Sequence, residues 1–161
     1  METAMVYISA MQESLQKKQG IMSKLLSLTQ EQSELLEKQP MDMERFEEIL
    51  EQKDELLMQL ETLDNGFNNV FQKLTPFLEK DKQTYRAPIE KMQGLIRAIT
   101  DCGVRIEGLE RKNRDAFQRY LLNERQEIKN SRASNRTAVS YYQNMPNQHH
   151  EWQSYFMDQK K

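Results

Sequence analysis

One apolar stripe running from Met43 to Leu74 constrains the fold of this chain more than any other feature. Apolar residues recur there at spacings of three and four, which places them on one side of an α-helix. Acidic residues and glutamines fill most of the other face, and Lys53 interrupts the stripe once. A helix with such a stripe needs other helices to cover it. The stripe consists of Phe46, Ile49, Leu50, Leu56, Leu57, Leu60, Leu63, Phe67, Val70, Phe71 and Leu74.

Two flanking segments have the same spacing and can supply the covering helices. Pro40 ends the first of them, because the residue before a proline disfavours helical backbone. Asp42 is then a natural N-cap for the central helix, and Pro88 opens the third. Thr75-Pro76 marks either a new helix start or a kink. The predicted helices span residues 3–38, 42–82, with a possible kink at Pro76, and 88–130.

Length and composition favour a slender helical domain. The chain has 161 residues, enough for one domain, with 37% hydrophobic and 30% charged residues and only 5 glycines. This balance suits long exposed helices joined by a thin apolar seam. We therefore predict an all-α fold, an elongated antiparallel bundle of three long helices, in which a coiled-coil-like hairpin is joined by a third helix. Residues 1–130 form this bundle, and residues 131–161 form a polar and aromatic C-terminal tail.

Charge is distributed unevenly along the predicted bundle. The net charge is −2, yet residues 42–64 are strongly acidic and residues 82–136 are more basic. We expect the acidic and basic helices to attract each other and so to set their pairing and orientation. The seam of the first helix is imperfect, because Lys18, Thr29 and Gln32 fall on it.

Aromatic residues gather in the tail, although aromatics are only 8% of the chain. A tail that serves only solubility would not need them. They favour binding, either to another protein or by docking on the bundle, over a passive tail. These residues are Tyr141, Tyr142, Trp152, Tyr155 and Phe156.

The sequence contains no constellation typical of catalysis. The two histidines, His149 and His150, are adjacent and lack further ligands, which makes a poor metal site. There is no glycine-rich phosphate loop, and Cys102 falls on an apolar helix face as a small core residue. We therefore expect no enzyme activity, no cofactor and no metal ion.

Two other binding features remain open or disfavoured. Five methionines could line a groove for a client helix, although ordinary core packing is the simpler interpretation: Met5, Met11, Met22, Met58 and Met92. The basic stretch from Arg111 to Arg114 has acidic residues interleaved around it and belongs to no nucleic-acid module, so we expect no nucleic-acid partner.

The cellular location follows from signals that the sequence lacks. The N-terminus has no secretory pattern, and no apolar run approaches the roughly 20 residues that a bilayer span needs. A single cysteine fits a reducing compartment. We expect a cytoplasmic protein with no membrane insertion.

Four stretches of the sequence carry a family resemblance. Two lie in the helices, MDMERFEEILEQKDELLMQLETLD from Met41 and IRAITDCGVRIEGLERKNRDAF from Ile96. Two lie in the tail, SRASNRTAVSYYQNM from Ser131 and FMDQKK from Phe156. Together they resemble flagellar export chaperones of the FlgN type, as found in Gram-positive bacteria. The tail motifs are the more specific, because glutamate- and leucine-rich heptads recur in unrelated coiled coils.

The resemblance implies a cytoplasmic helical chaperone that holds hook–filament junction proteins, through their C-terminal amphipathic segments, and delivers them to the type III export apparatus. It also implies that clients bind the C-terminal part of the chain. On this sequence that region corresponds to Leu121, Leu122, Ile128, Tyr141, Tyr142, Met145 and Phe156. Two alternatives stay open: a FliT-type chaperone of the filament cap protein, and a structural coiled-coil scaffold. The oligomeric state, including a homodimer, is also open.

Overall fold

The computed structural model describes residues 2–124 and 141–142, and this part of the chain consists of long helices without a strand. Tyr141 and Tyr142 lie against the bundle that these helices form. The all-α bundle predicted from the sequence is confirmed. The helices are α1 (Glu2–Glu37), α2 (Met43–Lys80) and α3 (Arg86–Asn123).

The first helix is the common partner of the other two. α1 packs along both α2 and α3, whereas direct backbone approach between α2 and α3 is sparse. α2 runs antiparallel to α1, since Lys18 pairs with Asp64 near the middle of both helices and Glu31 pairs with Arg45 near the end. α3 runs parallel to α1. The apolar stripe on α2 is therefore covered mainly by α1, and α3 completes the three-helix bundle by packing on α1.

Local sequence signals fix the helix ends. α1 ends at Glu37, just before Pro40. Asp42 caps α2, because its side chain accepts a hydrogen bond from the backbone N–H of Arg45 at 3.1 Å. Between α2 and α3 the chain turns over Asp81–Tyr85, where the Asp81 carboxylate accepts from the Thr84 backbone N–H at 3.3 Å.

α2 is one continuous helix that includes Pro76 of the suspected break without ending. It also passes through Asn65-Gly66, a dipeptide that is common in turns. The alternative that Thr75-Pro76 starts a new helix is wrong. Proline removes one backbone donor, but Leu74 is fully buried and Phe77 packs on the core, so tertiary contacts hold the last turns in the helix.

The core is a single seam along the bundle axis. On α1 the buried apolar residues follow the predicted spacing of three and four. The stacked rings of Phe46 and Phe117 join α2 to α3, with centroids 5.4 Å apart. Because each helix is apolar on one face only, no helix within residues 2–124 has the length and hydropathy needed to cross a membrane. The largest fully buried apolar side chains are Phe46, Phe117, Ile8, Leu15, Met22, Leu25, Ile49, Leu50, Leu74, Ile99 and Ile106.

Ion pairs between the helices do not follow the expected pattern of charge. The pair that links α2 to α3 joins Lys53 of the acidic helix to Glu110 of the basic one, opposite in sign to the prediction. Arg45, also on α2, binds Glu31 of α1 through two hydrogen bonds of 2.5 and 2.8 Å. Seam position rather than the average charge of a helix decides these pairs, because buried or bidentate charges interact more strongly than exposed ones.

Candidate partner-binding surface

A buried polar cluster lies where the three helices and the tail tyrosines meet. Lys53 is fully buried and donates a hydrogen bond to Oε1 of Gln32 at 2.7 Å. It also forms an ion pair with Glu110. The same Oε1 atom of Glu110 accepts from the Tyr141 hydroxyl at 3.2 Å. It also lies 3.3 Å from the hydroxyl oxygen of Thr29, whose shorter hydrogen bond, 2.7 Å, goes to the Leu25 carbonyl oxygen. One carboxylate oxygen therefore connects α1, α2, α3 and the tail.

A second set of hydrogen bonds lies beside it, between α1 and α3. The Ser33 hydroxyl donates to Oδ1 of Asn113 at 2.6 Å, and Nδ2 of Asn113 donates to the Thr29 carbonyl oxygen at 3.1 Å. Asn113 is buried, so these bonds satisfy an amide that would otherwise be costly to bury. They also specify the parallel register of α1 and α3.

Aromatic rings form the cover of this cluster. Tyr142 packs on Phe117 with ring centroids 6.1 Å apart, and Tyr141 meets Tyr142 edge-on at 5.5 Å. The ammonium of Lys53 lies 4.6 Å from the centroid of the Tyr141 ring, within range of a cation–π contact. Both tyrosines are 5% exposed, which makes them part of the core. We call Lys53, Glu110 and Phe117, with the two tyrosines that cover them, the tyrosine site.

Burial dominates the electrostatics of the tyrosine site. It lowers the pKa of Lys53 to about 8, and the attraction of Glu110 acts in the opposite direction. Burial also raises the pKa of Tyr141 well above its ordinary value, and the Glu110 carboxylate adds to this shift. The pKa of Tyr142 is raised by the same two causes. Both phenols are therefore neutral hydrogen-bond donors at physiological pH.

The tyrosine site is incompletely satisfied. Within residues 2–124 and 141–142, three buried polar atoms in or next to this site have no hydrogen-bond partner: Oε2 of Glu110, Nε2 of Gln32 and the hydroxyl of Tyr142. Such atoms are costly because burial has removed their water without replacing it. The site can therefore form three further hydrogen bonds. Glu110 could accept one from a donor, Gln32 could donate one to an acceptor, and the Tyr142 hydroxyl could pair with either.

A second buried ion pair lies further along the bundle, between Lys18 of α1 and Asp64 of α2. Desolvation lowers the pKa of Lys18 to about 7 and raises the pKa of Asp64 to about 6, while the attraction between the two opposes both shifts. This pair marks a second polar position in the seam. No group of three His, Cys, Asp or Glu side chains within the described part of the chain could hold a metal ion.

The structure brings together two of the residues predicted for partner binding. Tyr141 and Tyr142 are adjacent and buried on the bundle, as in the docking alternative for the tail. Leu121 is half-buried against the core, whereas Leu122 is 62% exposed at the end of α3. Ile128, Met145 and Phe156 lie outside the described residues, as do Trp152 and Tyr155.

The five methionines do not line one groove. Met11, Met22 and Met92 are buried in the core, as the simpler interpretation held. Met5 and Met58 are 44% and 66% exposed on different helices. Cys102 is half-buried, and its thiol donates to the Met22 carbonyl oxygen at 3.5 Å, a contact that joins α3 to α1.

Sequence analysis missed Glu110 and Asn113 as members of a site. The signal was present, since Lys53, Thr29 and Gln32 were recognised as polar residues on apolar seams. Polar seam residues at matching heights on different helices indicate a buried network, because unpaired polar groups are seldom buried. The partner Glu110 could not be chosen from the sequence, because the register of α3 against α1 and α2 comes from the packed bundle.

Comparison with known proteins identifies a family. A family model described as FlgN protein matches residues 1–144, which include all three helices, Tyr141 and Tyr142. No curated protein and no solved structure matches significantly. The matched range covers most of the chain and ends just after the tyrosine site.

Proposed function

The chain belongs to the FlgN protein family of flagellar export chaperones, and we propose that it holds hook–filament junction proteins in the cytoplasm before type III export. The family match over residues 1–144 carries this proposal, because it spans the whole bundle and the docked tyrosines. The family is a chaperone family, so binding and release, rather than chemical turnover, is the proposed activity. No cofactor is required for it.

The bundle provides what such a chaperone needs physically. A client segment that is amphipathic and not yet assembled exposes an apolar face, which a helical bundle can cover with a groove of its own. Here the end of α3 presents a partly buried and an exposed apolar residue, Leu121 and Leu122, one helical turn beyond Phe117 of the tyrosine site. We place client binding in this region, together with Ile128, Met145 and Phe156.

Calorimetric titration of the full chain tests the proposal. The C-terminal segments of the hook–filament junction proteins are titrated into the purified chain, with segments of the same composition in scrambled order as controls. We expect saturable binding of a junction segment at one client per chain and no heat from the scrambled control. Absence of saturable binding by every junction segment, with the chain helical by circular dichroism, would refute the proposal.

Two alternative functions make different predictions in the same experiment. A chaperone of the FliT type would bind the segment of the filament cap protein and not those of the junction proteins. A structural coiled-coil scaffold would bind none of them and would form a stable oligomer, which light scattering detects. Binding of the export apparatus, and the oligomeric state including a homodimer, are measured separately by the same two methods.

A further inference from the structure

We propose that the bundle side of the tyrosine site, formed by Lys53, Glu110 and Phe117, is the surface on which a client's amphipathic helix docks, and that Tyr141 and Tyr142 occupy it in cis until a client displaces them. This inference rests on the proposed function and specifies its site, the chemistry of the client and a competitor within the chain. The two tyrosines then act by occupying the surface, not by contacting the client.

The seated tyrosines show which chemistry the surface accepts. Phe117 offers an aromatic face to the Tyr142 ring, and the Lys53 ammonium lies over the Tyr141 ring at 4.6 Å. Glu110 receives the Tyr141 hydroxyl at 3.2 Å. A surface that combines a ring, a buried cation and a carboxylate favours an aromatic side chain that carries a hydrogen-bond donor. The occupant is therefore an amphipathic helix that presents such a residue, Tyr or Trp, on its apolar face.

The fit of the chain's own tyrosines is imperfect, which makes exchange favourable. Among the described residues, Oε2 of Glu110 has no donor, Nε2 of Gln32 has no acceptor, and the buried Tyr142 hydroxyl has no partner. A client that replaces Tyr142 by an apolar or aromatic group without a hydroxyl removes one of these defects. A client that adds an amide side chain, which both donates and accepts, can satisfy the other two.

Covalent linkage explains why the tyrosines nevertheless hold the surface when no client is present. Residues 125–140 connect Glu124 to Tyr141, so docking is intramolecular, with an effective concentration on the order of mM for a short connection. A free client competes against that concentration. If the tail is docked about 90% of the time, the apparent client affinity falls about tenfold relative to an open surface.

The first test measures client affinity when the competitor is removed. A junction-protein segment is titrated into the full chain and into the variant Tyr141→Ala/Tyr142→Ala. The matched control is Tyr7→Ala, which also deletes a ring that packs on a phenylalanine, Phe77, but near the opposite end of the bundle. We expect the double variant to bind about tenfold more tightly and the control to bind as the unaltered chain does.

The second test needs no client and probes the surface directly. A synthetic peptide of residues 136–146 is titrated into the Tyr141→Ala/Tyr142→Ala variant, whose surface is open, and into the unaltered chain. We expect saturable binding to the variant and at least tenfold weaker binding to the unaltered chain. The same peptide with both tyrosines replaced by alanine should bind neither. Circular dichroism confirms that each variant is folded. Tyr141→Phe is a milder change, and we expect it to increase client affinity by less than the double variant does.

The outcomes separate this inference from the proposed function. Client segments that bind all variants equally, or bind the double variant more weakly, overturn the inference and leave the chaperone function standing. Failure of the tail peptide to bind the open variant also overturns it. Peptide binding without binding of any junction segment supports the surface while refuting the client class under the proposed function.

Discussion

The two adjacent tyrosines of the tail have equal burial but unequal hydrogen bonding. The Tyr141 hydroxyl donates to Glu110, whereas the buried hydroxyl of Tyr142 has no hydrogen-bond partner in the part of the chain that the structure describes. A hydrogen bond to a charged group contributes more than a neutral one, and an unpaired buried hydroxyl is a net cost. Removal of the two hydroxyls should therefore have opposite effects on stability.

We predict that Tyr141→Phe lowers the free energy of unfolding by about 1–2 kcal/mol, while Tyr142→Phe leaves it unchanged or raises it by up to about 1 kcal/mol. Each variant is the control for the other, since both delete one phenolic hydroxyl from neighbouring positions. Urea denaturation followed by circular dichroism measures the difference. Equal losses in the two variants would show that the hydroxyl of Tyr141 has no special role.

At the scale of the helices, the capping of α2 can be tested independently of the site. Asp42 satisfies the backbone N–H of Arg45, one of the donors that a helix start leaves without an intrahelical partner. Asp42→Ala should lower the free energy of unfolding by about 1 kcal/mol, equivalent to roughly 2–4 °C in melting temperature for a chain of this size.

Glu44→Ala is the matched control for this prediction. Glu44 is an exposed acid in the first turn of α2, where its charge interacts favourably with the helix dipole, so we expect a loss of about 0.3 kcal/mol. Thermal melts of the two variants under identical buffer conditions give the comparison. A loss in Glu44→Ala as large as that in Asp42→Ala would assign the effect to charge and not to the capping hydrogen bond.

The helices themselves were largely predictable from the sequence, because local signals determine them. The stripe on α2 and the prolines at positions 40 and 88 predicted helices whose ends lie within a few residues of Met43–Lys80 and the start of α3 at Arg86. The continuation of α2 through Pro76 was not settled by the sequence. It depends on the burial of Leu74 and Phe77 against other helices, which a local pattern does not contain.

The candidate site was predictable only in part, because its members meet through the register of separate helices. Lys53 was visible as an interruption of an apolar stripe, but its partner Glu110 looked like one of many charges on α3. The tyrosines were predicted as binding residues from the aromatic composition of the tail and from the family resemblance. Their place over Lys53 and Phe117 required the heights of α2 and α3 relative to each other, which only the packed bundle supplies.

At the scale of the whole molecule, two buried lysines make stability depend on pH. Burial lowers the pKa of Lys18 to about 7 and that of Lys53 to about 8, well below the value of 10.5 that an exposed lysine has. Between these folded values and 10.5, the unfolded chain binds protons that the folded chain does not. The free energy of unfolding therefore rises with pH over this range.

Other titratable side chains limit the pH range over which the free energy of unfolding rises. Asp64, with a pKa raised to about 6, binds a proton more strongly in the folded chain, so its contribution to stability falls as pH rises from about 4 to 6. The raised pKa values of Cys102, Tyr141 and Tyr142 make their contributions fall as pH rises through and above about 9. The lysine effect is cleanest between pH 7 and 9.

We predict that the free energy of unfolding, measured by urea denaturation, is higher at pH 9 than at pH 7 for the unaltered chain. Lys18→Met should reduce this difference, because it removes the lysine with the lower pKa. Lys17→Met is the matched control: Lys17 is an exposed neighbour whose side chain pairs with Glu13 on the surface, so its replacement should leave the pH dependence intact. Two results would contradict this prediction: a flat or falling profile in the unaltered chain, or the same change in both variants. Either would mean that burial in the bundle does not lower the pKa of Lys18.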